Sequence, residues 1–303
     1  MSPFSLRQML SNLRLRYTFQ GAGLVTDHDA NLLDATKGLS DSRDAPPTVT
    51  ADIHRHTFVE DYRRPPPLPQ VTLGKDIEFV GQSNPHGATP MFIIRAGENV
   101  LLLKVYADRQ PVSHDDDFHA PDSLLDPREL FAHETDAYAH LVHYGACDKG
   151  VVPKCYGWVE LAPYHLQAIF ALPDISENAW DLQVGDKPPR GIVLEYFPDV
   201  DVMSIENVSH TLAGEALRGL DAIHSTYLQH CAVTRRHMLV LPDGRVVWVD
   251  FSASKNASDT SFTTGDLTKE LEEAWYYMYW RMMPNKRHKL TRPRRIAFEQ
   301  PML

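Results

Sequence analysis

Lys104 lies in the run VLLLKVY, among apolar residues on both sides. An unpaired ammonium in such a setting is costly to bury, so a partner is expected. Asp250, in VDFS, follows the apolar run RVVWV and so ends a buried strand. A carboxylate there needs a cation or several hydrogen-bond donors. Between the two lies HCAVTRRH, from His230 to His237. Histidine can act as a base or ligate a metal as the neutral ring. His237 with Asp250 reads as a metal pair or, alternatively, as a hydrogen-bonded loop histidine beside a structural cap. SHDDDFH, from 113 to 119, is rich in metal-capable side chains, but close-packed acids of this kind are expected to be a solvated loop.

The elements that must position these residues follow from pattern. DIEFVGQ, MFIIRAG and NVLLLKVYA read as three strands of an antiparallel meander, the first two separated by the turn-forming SNPHGATP. RELFAHETDAYAHLVHYG carries Leu130, Ala137, Leu141 and Tyr144 at helical spacing. GVVPKCYGWVEL and GIVLEYFPDV read as two further strands joined by a loop. TLAGEALRGLDAIHSTYL reads as a helix with a stripe of Leu212, Ala216, Leu220 and Ile223. HMLVL, PDG and RVVWVDF form a hairpin, and GDLTKELEEAWYYMYWRMM an aromatic-rich final helix, whose Trp275 and Trp280 either pack it or line an apolar pocket. Asp266 is placed to cap that helix or to brace the 230–237 loop.

The chain has 303 residues and a formal net charge of −10, which argues against a nucleic-acid or anionic-membrane binder. No apolar run is long enough to span a bilayer. Cys147, Cys155 and Cys231 have no metal-type spacing, which points to a reducing, cytoplasmic setting. The basic tail NKRHKLTRPRR allows a nuclear one. Residues 1–75 read as an extension whose first 19 residues form a packed amphipathic helix or a transit peptide. It ends in the extended, proline-rich RRPPPLPQ.

This order of strands and helices resembles the protein-kinase-like fold over residues 76–283, and the stretch RxxLVLPDGRVVWVDF, at 236–251, carries the resemblance most specifically. The chain is similar to small kinase-like proteins common in fungal genomes, related to aminoglycoside and choline phosphotransferases. The resemblance implies an α+β, two-lobed fold. Residues 76–198 would form an N-lobe of antiparallel sheet plus one helix. Residues 199–283 would form a reduced, mainly helical C-lobe with the catalytic hairpin, and 284–303 a basic tail.

The resemblance also implies roles. Lys104 would touch nucleotide phosphates and pair with Glu134 on the next helix, with Glu129 a weaker competitor. Asp250 would hold the metal of an ATP complex with Mg or Mn. Backbone groups near Glu195 to Phe197 would bond the adenine. Gly81 and Gly87 would sit in a poor phosphate loop. The kinase pattern His-Arg-Asp-Leu-x-x-x-Asn, laid on 230–237, puts Ala232 in the place of the catalytic aspartate and His237 in that of the metal-binding asparagine. No catalytic residue is assigned: His230 as a replacement base and Cys231 as a nucleophile are the alternatives, with nothing in the sequence to partner the thiol. Alanine cannot accept a proton, and losing a general base slows a reaction by roughly two to four orders of magnitude. A nucleotide-binding pseudokinase or atypical kinase is therefore expected. Two alternatives remain open: an active phosphotransferase on a small molecule or protein, and a repurposed cleft doing non-phosphoryl chemistry such as a cyclisation.

Overall fold

The computed structural model describes residues 62–83, 89–107, 126–173, 187–259 and 261–287, with Ile175, Ala179 and Leu182. The N-terminal 61 residues, Gly87, SHDDDFH and most of the basic tail lie outside them. Among the described residues no helix is long and apolar enough to cross a membrane.

The fold is mixed α/β and centred on an antiparallel sheet of five strands in the order β1-β2-β3-β5-β4. These are β1 (Glu78–Gln82), β2 (Met91–Ala96), β3 (Asn99–Tyr106), β4 (Cys155–Glu160) and β5 (Arg190–Glu195). The pleat gives β3 two different faces. Leu103 and Val105 join Phe92, Ile94, Val159 and Val193 in one core. The alternate positions Leu102, Lys104 and Tyr106 turn to the opposite face, where helix α1 (Pro127–His143) packs. Helix α1 starts on an Asp126 cap that accepts a hydrogen bond from the Arg128 N–H at 2.9 Å, with Pro127 in the first turn.

Between β4 and β5, where sequence pattern suggests only a loop, a short helix α2 (Pro163–Phe170) buries Ile169 in the first core. Pro163 sits in its first turn, where the missing N–H costs nothing. Eight residues are too few to show a helical period, and a proline at their head reads as a breaker.

A second sheet joins β6 (Asp201–Val202), β8 (Met238–Val240) and β9 (Val246–Trp248) in the order β6-β8-β9. The β8–β9 turn is closed by Gly244 at φ +82° and by Asp243, which accepts from the Arg245 N–H at 3.1 Å. Helix α3 (His210–His224) lies against β9. The approach is close: a Cβ on Gly219 would stand 3.0 Å from Trp248 Cδ1. The fully buried Trp248 donates its indole N–H to the Ala216 carbonyl at 2.9 Å. A two-strand ribbon pairs β7 (Leu228–Gln229) with β10 (Lys255–Asn256). Helix α4 (Thr264–Tyr276) runs into a π-helical turn over Tyr277–Met282 and then α5 (Met283–Arg287).

The proline-rich stretch has no helix or strand beyond a bridge from Gln70 to Trp158, and it is docked. Pro65 and Leu68 are buried, Trp158 donates to the Pro69 carbonyl at 3.0 Å, and the Val71 N–H donates back to Trp158 at 2.8 Å. Gly157, at φ +131°, makes room: a Cβ there would stand 2.5 Å from the Pro69 oxygen. Tyr62 bonds both His140 of α1 (3.0 Å) and Ser258 (2.5 Å).

Candidate functional site

The β3 alternation aims Lys104 at α1, and three elements meet there. Lys104 Nζ donates to Glu134 Oε2 at 2.6 Å and to Asp250 Oδ1 at 2.8 Å. The Lys104 and Glu134 side chains are 6% and 1% exposed, so both charges depend on this contact. Tyr106, two residues along the same face of β3, donates its hydroxyl to Glu134 Oε2 as well. Burial pulls the Lys104 ammonium towards neutrality, but Glu134 and Asp250 outweigh it and hold its pKa above the ordinary value. The pairing expected of Lys104 and Glu134 is present. Glu129 lies in the first turn of α1, and no bond from it to Lys104 occurs.

Asp250 follows β9 with φ at +67°, a left-handed conformation unusual for a residue other than glycine. This kink turns Phe251 into the core, where its ring stands 5.6 Å from Tyr138 of α1 and 4.8 Å from His230. It leaves the Asp250 carboxylate beside Lys104, with Ser252 Oγ donating to Oδ1 at 2.7 Å. Burial works against the charge, but Lys104 and Ser252 hold the carboxyl well below the usual carboxylate range.

The 230–237 loop is braced from α4. Glu270 is buried, and its carboxylate accepts from the His230 N–H (2.9 Å), the Cys231 N–H (2.5 Å) and His224 Nε2 (2.8 Å). This is the residue the sequence reading missed. Asp266, the residue singled out there, closes a capping box with Thr263 at the start of α4. Glu270 stands one helical turn further on, within the buried set Leu267, Leu271 and Ala274. An acid inside an apolar stripe was the available signal. The brace holds Cys231 at φ +62°. Cys231 is exposed as a residue, but the packing around its sulfur and the nearby Glu270 carboxylate push the thiol up to about 12, so nothing here activates it as a thiolate. His230 is fully buried, donates through Nε2 to the Val249 carbonyl at 3.1 Å and is lowered to about 4 by desolvation. It is a packed structural ring.

His237 decides the metal question. Its Nδ1 lies 2.8 Å from the Ala232 carbonyl, which can only accept, so Nδ1 carries the proton. Arg236 Nε donates to His237 Nε2 at 3.2 Å, which occupies the remaining lone pair. Burial lowers the ring's pKa and favours this neutral form. Nε2 is 3.5 Å from Asp250 Oδ2, but both atoms are then acceptors and the contact is no ion pair. A metal at His237 would have to displace the Arg236 guanidinium from Nε2, whereas at Asp250 the Lys104 ammonium and the Ser252 hydroxyl both take Oδ1 and leave Oδ2 without a donor among the described residues. Among the described residues no group of three or more His, Cys, Asp or Glu side chains is placed to hold a metal ion. As the ring stands, both nitrogens of His237 are engaged, while Asp250 keeps one carboxylate oxygen, Oδ2, without a donor.

Lys104, Glu134, Arg236, His237 and Asp250 line a cavity of about 500 Å³. Its apolar walls come from both sheets: Met91, Leu102 and Leu194 from the first, Leu239 and Val249 from the second or just beyond it. Glu195, Tyr196 and Phe197 form its rim. Glu195 is fixed by bonds in both directions with Lys154: its N–H donates to the Lys154 carbonyl at 2.8 Å and its carboxylate accepts at 3.1 Å. Gly81 is not among the lining residues. It sits in β1 at an irregular register step, where a Cβ would meet nothing within 4 Å, so no close approach there calls for glycine. Trp275 and Trp280 are not among the lining residues either.

A larger and more open groove, about 900 Å³, runs between the docked proline-rich segment, α1 and the residues after β9. It is lined by Arg64, Phe131, Trp158, Arg190 and Lys255 among others and contains none of the converging charges. The 500 Å³ cavity is the candidate site because the buried ionic groups face it. In comparisons with known proteins, no family model matches the chain and no curated protein sequence matches it.

Proposed function

We propose that the protein is a kinase-like, nucleotide-binding protein whose cleft holds ATP and transfers its phosphate slowly or not at all. One observation carries this reading. Lys104, Glu134 and Asp250, from three elements separated by up to 146 residues, converge on the wall of an apolar cavity of about 500 Å³. The apolar side chains from two sheets suit a planar base, and the rim at 195–197 offers backbone groups for its edge. A buried lysine held in place by two acids suits the adjoining phosphates. Ala232 argues against efficient transfer, since nothing at that position can orient or deprotonate an attacking hydroxyl. His230 is packed and Cys231 is an unactivated thiol, so neither supplies the missing base.

The test is a thermal-shift titration with ATP, with and without Mg²⁺ or Mn²⁺, on the wild type and on Leu239→Trp, which fills the cavity. The reading predicts that ATP at about a hundred times its Kd raises stability by about 2.7 kcal/mol, and that Leu239→Trp abolishes the shift. Turnover of ATP stays at background. No shift at millimolar ATP under any of these conditions contradicts it.

A further inference from the structure

We infer that the cleft grips the phosphates of its nucleotide directly through Arg236, with no divalent cation between protein and ligand. The inference rests on the nucleotide reading above and concerns how the same site handles charge. A polyphosphate needs its negative charge met, and a metal ion ordinarily does this through carboxylate ligands. Here Asp250 Oδ1 already takes Lys104 at 2.8 Å and Ser252 at 2.7 Å, so Oδ2 is the single oxygen of that carboxylate left without a donor among the described residues. The only histidine beside it among the cavity-lining residues, His237, gives its lone pair to Arg236 at 3.2 Å. The positive charge is supplied by protein instead.

Arg236 lines the cavity, is exposed, and makes no ion pair among the described residues. One of its five N–H groups is spent on His237, and that bond fixes the plane of the guanidinium. Four remain for phosphate oxygens, in the fork geometry that suits bidentate contact. His237 is itself fixed from behind by the Ala232 carbonyl at 2.8 Å. The chain Ala232–His237–Arg236 therefore turns the loop from a metal-holding arrangement into a support for one cation.

The experiment is calorimetric titration of the full chain with ATP, once in excess EDTA and once in millimolar Mg²⁺. The inference predicts Kd values within about threefold of each other. Arg236→Ala weakens ATP in EDTA by about tenfold or more, and Arg236→Lys recovers part of the loss. The ligand-free melting temperatures of both variants stay near that of the wild type, because the side chain is exposed. Binding that requires Mg²⁺ overturns the inference and leaves the nucleotide reading standing. Unchanged EDTA binding by Arg236→Ala overturns it too. No binding in either buffer overturns both.

Discussion

The Lys104 ammonium lies 2.8 Å from Asp250 Oδ1, across 146 residues of sequence, and ties the central strand of one sheet to the strand exit of the other. Glu134 completes the contact at 2.6 Å. Lys104 and Glu134 are buried and stable only together, because each unpaired charge there carries its desolvation cost, while the half-exposed Asp250 is partly met by water.

Lys104→Met is therefore expected to destabilise the fold by roughly 3–5 kcal/mol, the cost of stranding a buried partner. The half-exposed Asp250 places the loss at the lower end, since water screens it. The double variant Lys104→Met/Glu134→Leu is expected to lose less than the sum of the single variants, by about 1–3 kcal/mol. Urea denaturation of the four proteins checks this. Additive losses would contradict the coupling.

Glu270→Gln is expected to cost about 2–3 kcal/mol, because a charged acceptor for the His230 and Cys231 N–H groups is lost inside the protein. Asp266→Asn, at the exposed cap, is expected to cost about 1 kcal/mol or less. Hydrogen exchange adds a local readout: Glu270→Gln accelerates exchange at His230 and Cys231, and Asp266→Asn leaves them protected. The opposite ranking would assign the brace to Asp266.

Stability should fall on mild acidification. The folded pKa of His230, about 4, lies below its unfolded value near 6.5, so the unfolded chain binds more protons between those limits. Stability from this group is complete above about pH 6.5 and is lost as pH falls towards 4, by up to roughly 3 kcal/mol. Glu270, also held below its usual range, adds to the loss at the acidic end. Melting temperatures from pH 7.5 to 5.0 should drop by several degrees, and the slope should be shallower in His230→Gln. A flat wild-type profile would contradict a neutral, buried His230.

Gly157→Ala places a methyl group 2.5 Å from the Pro69 oxygen and forces a φ of +131° on a residue with a side chain. It is expected to cost at least about 1 kcal/mol and to loosen the proline-rich segment. Faster proteolytic cleavage near residues 63–70, with the rest of the domain intact, is the expected readout. Unchanged cleavage would mean that the segment does not depend on this contact.

Most of the site was legible in the sequence because charge interrupting an apolar run is a strong signal. Lys104 in LLLKVY and Asp250 after RVVWV both announce a buried ion that needs a partner. The strand alternation then dictates that Lys104 faces away from the Leu103 and Val105 core. The role of His237 was not legible, because a histidine's ligating lone pair depends on which neighbour reaches it first, and that neighbour was Arg236. Glu270 was missed for a related reason: in KELEEAW several acids follow one another, and only the helical phase separates the buried one from its exposed neighbours. Helix α2 escaped because a run of eight residues with a leading proline carries too little periodicity.

A nucleotide bound in the cavity between the two sheets would lie against Leu102, Tyr196 and Leu239. Photolabelling with 8-azido-ATP, followed by peptide mapping, tests this placement most directly. Label is expected on the peptides carrying Leu102, Tyr196 or Leu239, blocked by excess ATP and absent in Leu239→Trp. Label that ATP does not block, or label confined to peptides of the 900 Å³ groove such as those carrying Phe131 or Lys255, would contradict it.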